Sequence, residues 1–74
     1  REWERNLLEV ALQNVKKRVT PRQYQLFSLH VLSEVPARLV AQRVGAKLAE
    51  VYFAKYRISK LVKLEVRRLE KTMM

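Results

Sequence analysis

VGAKLAEVYFAKYRISK, residues Val44 to Lys60, decides the fold of this chain, because it joins the only glycine to the start of a long run without breakers. Gly45 stands where a helix ends well in a left-handed residue, and neither glycine nor proline occurs after it. The pattern stays helical to about Lys71, predicting a terminal helix on the order of 35–40 Å long at the usual rise per residue. The same stretch sets Tyr52, Phe53 and Tyr56 among lysines and an arginine. Whether these rings enter the core or face outward is the question on which a functional reading turns.

Working back from Gly45, a short third helix is expected over about Pro36 to Val44, after the connector Ser33-Glu34-Val35-Pro36. The residue before a proline is pushed out of helical geometry, and proline is tolerated at a helix start. Leu39, Val40 and Val44 are spaced to share one face. A second helix is predicted from Pro21 to about Leu32, with Thr20 as N-cap, Pro21 in the first position and Gln23 completing a capping box. Tyr24, Phe27, Leu29, Val31 and Leu32 are its expected packing residues. Ahead of it, Trp3, Leu7, Leu8, Ala11, Leu12 and Val15 recur at three- and four-residue spacing, so Glu2 to about Arg18 reads as an amphipathic first helix.

The composition agrees with an all-α domain. There are 74 residues, 49% of them apolar, with one glycine and two prolines, too few breakers for an all-β chain. One domain, residues 1–74, is the most such a length supports. The chain begins at Arg1 without an initiator methionine, which suggests a segment of something longer. Cysteine is absent, which excludes a disulfide framework and any thiolate metal site. No apolar run approaches the roughly 20 residues of a membrane span, so a soluble, cytoplasmic protein without membrane contact is expected.

The net charge of +9 is the strongest compositional fact. So large an excess of lysine and arginine attracts polyanions, nucleic acid foremost, while an anionic surface or an acidic protein groove satisfies the same arithmetic. Catalytic chemistry is thin. His30, the only histidine, has no second ligand nearby and reads as a packed residue; Glu2, Glu4 and Glu9 read as a solvated face; no serine has a nucleophile's context. No enzyme activity, metal or cofactor is expected.

Helix three, the glycine turn and helix four have the connectivity of a helix-turn-helix. Ala41 lies four residues before Gly45 and Val51 six after it, with Val40, Val44, Leu48 and Ala54 at the intervening apolar positions. A small Ala41 lets the helices cross closely, glycine permits the turn, and Val51 plugs the crossing. At 100° per residue from Val51, residues Leu48, Ala54, Ile58, Leu61, Val62 and Leu69 fall on a core side. Phe53, Tyr56 and Lys60 fall opposite, and Tyr52 sits at the stripe's edge, between core and surface.

With WERNLLEVAL, RVTPRQYQLFSLHVL, LVAQRVG and above all EVYFAKYRISKLVKLEVRRLE, nearly the whole chain resembles region 4 of bacterial sigma factors, in particular the extracytoplasmic-function group. The resemblance implies a four-helix domain that binds double-stranded promoter DNA at the −35 element and docks on the flap of the RNA polymerase β subunit. An anti-sigma factor would be a further partner of this kind. By position, Tyr52, Phe53, Tyr56 and Arg57 would then read bases. Arginine can bond two guanine acceptors at once and an aromatic edge can meet a thymine methyl. Lys47, Lys55, Lys60 and Arg38 are expected at phosphates, as are Arg22 and Gln23 at the start of helix two. Lys63, Arg67, Arg68 and Lys71 read as a solvated tail or a surface for polymerase. The chain departs from the family pattern at Ala46-Lys47, where a capping residue is common, at Pro36 and at Leu39. TPRQ and LVAQRVG also resemble the effector domain of response regulators, and a purely protein-binding helical bundle is the reading from a different class.

Overall fold

The computed structural model describes residues 2–73, and in them the chain is all-α. Its helices are α1 (Glu2–Lys16), α2 (Pro21–Phe27), α3 (Ala37–Val44) and α4 (Leu48–Met73), with a π-wound segment, Ser28–Leu32, continuing α2. α4 is the spine. Its 26 residues run along a molecule 43 Å in longest extent, and α1, α2 and α3 all pack on it.

Two cores lie along this spine. Leu26, Ala37, Val40, Val51 and Ala54 join α2, α3 and the first half of α4. Ala11, Val15, Phe27, Ile58 and Val62 join α1, α2 and the middle of α4. Each fully buried aliphatic side chain here contributes about 1.5–3 kcal/mol of hydrophobic stabilisation. α4 therefore holds the helix-turn-helix at one end and the α1 contact at the other.

Local chemistry accounts for the helix ends. The hydroxyl of Thr20 accepts from the Gln23 amide at 3.1 Å, and the Gln23 side chain accepts from the Thr20 amide at 3.4 Å, which is the expected capping box. Gly45 is left-handed, with φ +71°, and the Ala46 amide closes back on the Ala41 carbonyl at 2.9 Å. A Cβ on Gly45 would meet nothing within 4 Å, so the backbone angle and not crowding calls for glycine. α3 begins one residue later than expected, with Pro36 as its N-cap.

Several expectations are corrected. The predicted α-helix to Leu32 changes winding at Ser28: the Ser33 amide reaches the Ser28 carbonyl at 2.9 Å, a five-residue step. Glu34 then turns the chain with φ +57°, the only non-glycine residue described with positive φ. α1 ends at Lys16, where Arg18 closes a turn on the Val15 carbonyl at 2.8 Å. Leu48, expected in the core, is 38% exposed, because it is the first residue of α4 and the crossing with α3 forms a turn later at Val51 and Ala54. Ala41 and Val44 are half-buried against that crossing. Trp3, Leu8, Leu32 and Leu39 are exposed despite their place in apolar stripes. Trp3 and Leu8 border a small hollow formed with Val66 and Glu70, and Leu8 also lines the larger groove between α1 and α4.

Candidate nucleic-acid interface

α4 lies with Val51, Ala54, Ile58 and Val62 buried, so its opposite face is turned outward along its length. That face carries Phe53, 57% exposed, and Tyr56, 66% exposed, one helical turn apart, with Arg57 and Lys60 also exposed. Large rings left this far in water are unusual on a helix whose other face is closely packed. The ammonium of Lys55 lies 5.4 Å from the centre of the Tyr56 ring, so Lys55 is half-buried beside the aromatic face.

Tyr52 belongs to both environments. It is 39% exposed, and its ring meets His30 edge-on with centroids 5.8 Å apart and planes at 88°. His30 in turn places Nδ1 2.8 Å from the Val35 carbonyl, donating when its proton is on Nδ1. The histidine thus ties the π segment to the next connector and to α4.

The other candidate residues divide. Arg38 on α3 and Lys47 before α4 are exposed. Gln23 is half-buried, and its side-chain oxygen serves the Thr20 cap. Arg22 is held across the helix-turn-helix: Nε donates to Glu50 Oε2 at 2.6 Å, and Nη2 donates to Glu50 Oε1 and to the Gly45 carbonyl, both at 3.3 Å. The hydrogen bond from Arg22 holds the Glu50 carboxyl below its ordinary pKa, and the same bond raises that of Arg22. No local pattern in the sequence marks Glu50 for this pairing, because its partner lies 28 residues away.

A second polar cluster was missed altogether. Glu65 is only 6% exposed, at a core position of α4. Its carboxylate accepts from Arg68 at 2.6 and 3.1 Å and from Asn14 of α1 at 2.7 Å. Arg68 first, then Asn14, lowers the Glu65 pKa from 4.5 to about 2. Arg68 is itself exposed, but through Glu65, on its own helix, it supports the carboxylate that meets Asn14 at the α1–α4 contact. The signal was available: Glu65 falls on the wheel next to Ile58, at the flank of the stripe of Ile58, Val62 and Leu69, where a carboxylate needs partners.

Beyond the aromatic cluster, a groove of about 540 Å³ opens between α1, the π segment and α4, lined by Leu8, Leu12, Val31, Leu32 and Val66 with Lys63 and Arg67 at its edge. Among the described residues no His, Asp or Glu cluster is arranged to hold a metal, and no helix is long and apolar enough to cross a membrane. No family model matches the chain, and no curated protein or solved structure matches it either.

Proposed function

We propose that this domain binds double-stranded DNA sequence-specifically, with α4 in the major groove, and that it recognises the −35 element of promoters as part of RNA polymerase holoenzyme in the cytoplasm. The observation that carries this reading is the outward cluster of Phe53, Tyr56, Arg57 and Lys60 on the face of α4 opposite buried Val51 and Ala54. A rigid helix presenting rings and cations suits a groove whose walls are phosphate and whose floor offers thymine methyls and guanine acceptors. The excess charge of +9 supplies the attraction, and the protein acts by binding, without catalysis.

The resemblance to sigma region 4 supports the promoter and the polymerase. In this reading the apolar groove beside Val31, Leu32 and Val66 receives the polymerase β flap, on a different flank of α4 from Arg57 and farther along the helix. That same groove also favours a second reading, in which the domain is a protein-binding bundle alone and its positive face meets an acidic partner such as an anti-sigma factor.

Selection of binding sites from a randomised duplex pool separates the two. For the DNA reading, the enriched duplex binds at least about tenfold more tightly than its scrambled form at one salt concentration, with affinity falling as salt rises. Equal affinity for both duplexes rejects sequence-specific binding.

A further inference from the structure

We infer that Glu50 is a positioning residue for the DNA-facing surface: through Arg22 it fastens the first turn of α4 to the start of α2 and to the turn between α3 and α4. The consequence for recognition rests on the DNA-binding reading above; the fastening itself does not.

Three observations carry the inference. The first is geometric. Arg22 grips Glu50 with two nitrogens, at 2.6 and 3.3 Å, and reaches the Gly45 carbonyl at 3.3 Å, so one guanidinium spans all three elements. A planar fork holds its partner in one orientation, which a lysine ammonium does not.

The second is what α4 lacks. Lys47 precedes the helix, and its side chain has no acceptor to offer the first amides. Leu48, the first helical residue, is exposed and does not anchor the end in the core. The Arg22–Glu50 pair is then the polar side-chain contact that holds the start of α4 ahead of Val51, beside the packing of Ala46 on the core.

The third is the placement of Glu50 on α4. It lies three residues before Phe53 and seven before Arg57, on one helical face, and it is the only acidic residue between Glu34 and Glu65. An uncompensated carboxylate there would repel phosphate. Its neutralisation by Arg22 leaves the surface attractive to DNA while keeping the angle of α4 set.

Glu50 therefore has two effects of opposite sign on binding. Removing its charge helps any duplex, whereas removing its grip loosens the helix that reads sequence. Charge alone would change affinity for all duplexes in the same ratio.

The test uses the 74-residue chain and the variants Glu50→Gln, Arg22→Lys and Glu9→Gln, the last removing an exposed carboxylate from α1. Amide hydrogen exchange is measured without DNA, and binding to the pool-selected and scrambled duplexes at fixed salt. Glu50→Gln and Arg22→Lys are expected to speed exchange at residues 46–51 and to cut the selected-to-scrambled ratio by roughly two- to fivefold, the range of an exposed ion pair. Glu50→Gln should also bind scrambled duplex more tightly, and Glu9→Gln should leave both exchange and ratio as they are. Unchanged exchange at residues 46–51 overturns the fastening. Faster exchange with an unchanged ratio overturns its part in recognition. A wild-type chain that prefers no duplex removes the DNA-binding reading and the recognition role with it, while the exchange result still decides the fastening.

Discussion

Leu26 and Phe27 are neighbours in the chain but are buried in different cores, Leu26 with Val40 and Val51, Phe27 with Val15 and Ile58. α2 thereby couples the helix-turn-helix end of the domain to the α1 end. Truncating either side chain should weaken the whole domain, by about 2–5 kcal/mol for Leu26→Ala and about 3–5 kcal/mol for Phe27→Ala. For so small a chain such losses approach the total stability. Urea unfolding followed by Trp3 fluorescence and by circular dichroism should give one coincident transition in both variants; separated transitions would mean that the cores unfold independently.

Glu65 makes stability depend on acid. Its folded pKa is lowered from 4.5 to about 2 by Arg68 and Asn14, so its contribution is complete above the ordinary value and is lost as pH falls from about 4.5 towards 2. Glu50, also lowered, acts in the same direction. Thermal melting between pH 6 and pH 2, ranges set by these values, should show a shallower acid loss for Glu65→Gln than for wild type, from a lower starting midpoint. An identical pH profile in the two proteins would remove Glu65 from the account.

Glu34 turns the chain with φ +57° after the π segment. A left-handed conformation costs a residue with a Cβ roughly 1–2 kcal/mol, and the added backbone freedom of glycine in the unfolded state takes back about 0.4–1 kcal/mol. Glu34→Gly should accordingly raise stability by roughly 0.5–1 kcal/mol, read as a higher urea midpoint at constant slope. Destabilisation would show that the Glu34 side chain has a role which the turn geometry does not reveal.

Arg57 and Lys60 should behave differently on DNA. Arg57→Ala is expected to cost about 1–3 kcal/mol on the selected duplex and to relax the preference at one base position. Lys60→Ala should weaken selected and scrambled duplexes alike and reduce the salt slope by about one. Competition binding with single-base variants of the selected site distinguishes these effects. A uniform loss for Arg57→Ala would reassign Arg57 to the phosphates.

Features encoded within a few residues were legible in the sequence. The Thr20 cap, the Gly45 turn, the four helices and the buried Val40–Val51–Ala54 crossing all follow from spacing and capping chemistry. The outward placement of Phe53 and Tyr56 followed from the helical angle alone. What escaped needed a distant partner. Arg22 finds Glu50 across 28 residues and Asn14 finds Glu65 across 51, and neither pair leaves a local pattern. The π winding at Ser28–Leu32 escaped for another reason: over five residues its apolar spacing is indistinguishable from that of an α-helix. Leu48 and Trp3 show the limit of periodicity at helix ends, where an apolar stripe can outrun the elements that cover it.

The central claim is that DNA lies against the outward face of α4, and side-chain NMR of the chain titrated with pool-selected duplex tests it most directly. The account predicts the largest shifts at Phe53, Tyr56, Arg57 and Lys60, with Leu8, Leu32 and Val66 in the groove unmoved. Shifts confined to the groove or to Lys63, Arg67 and Lys71, with the rings of Phe53 and Tyr56 unperturbed, would contradict it.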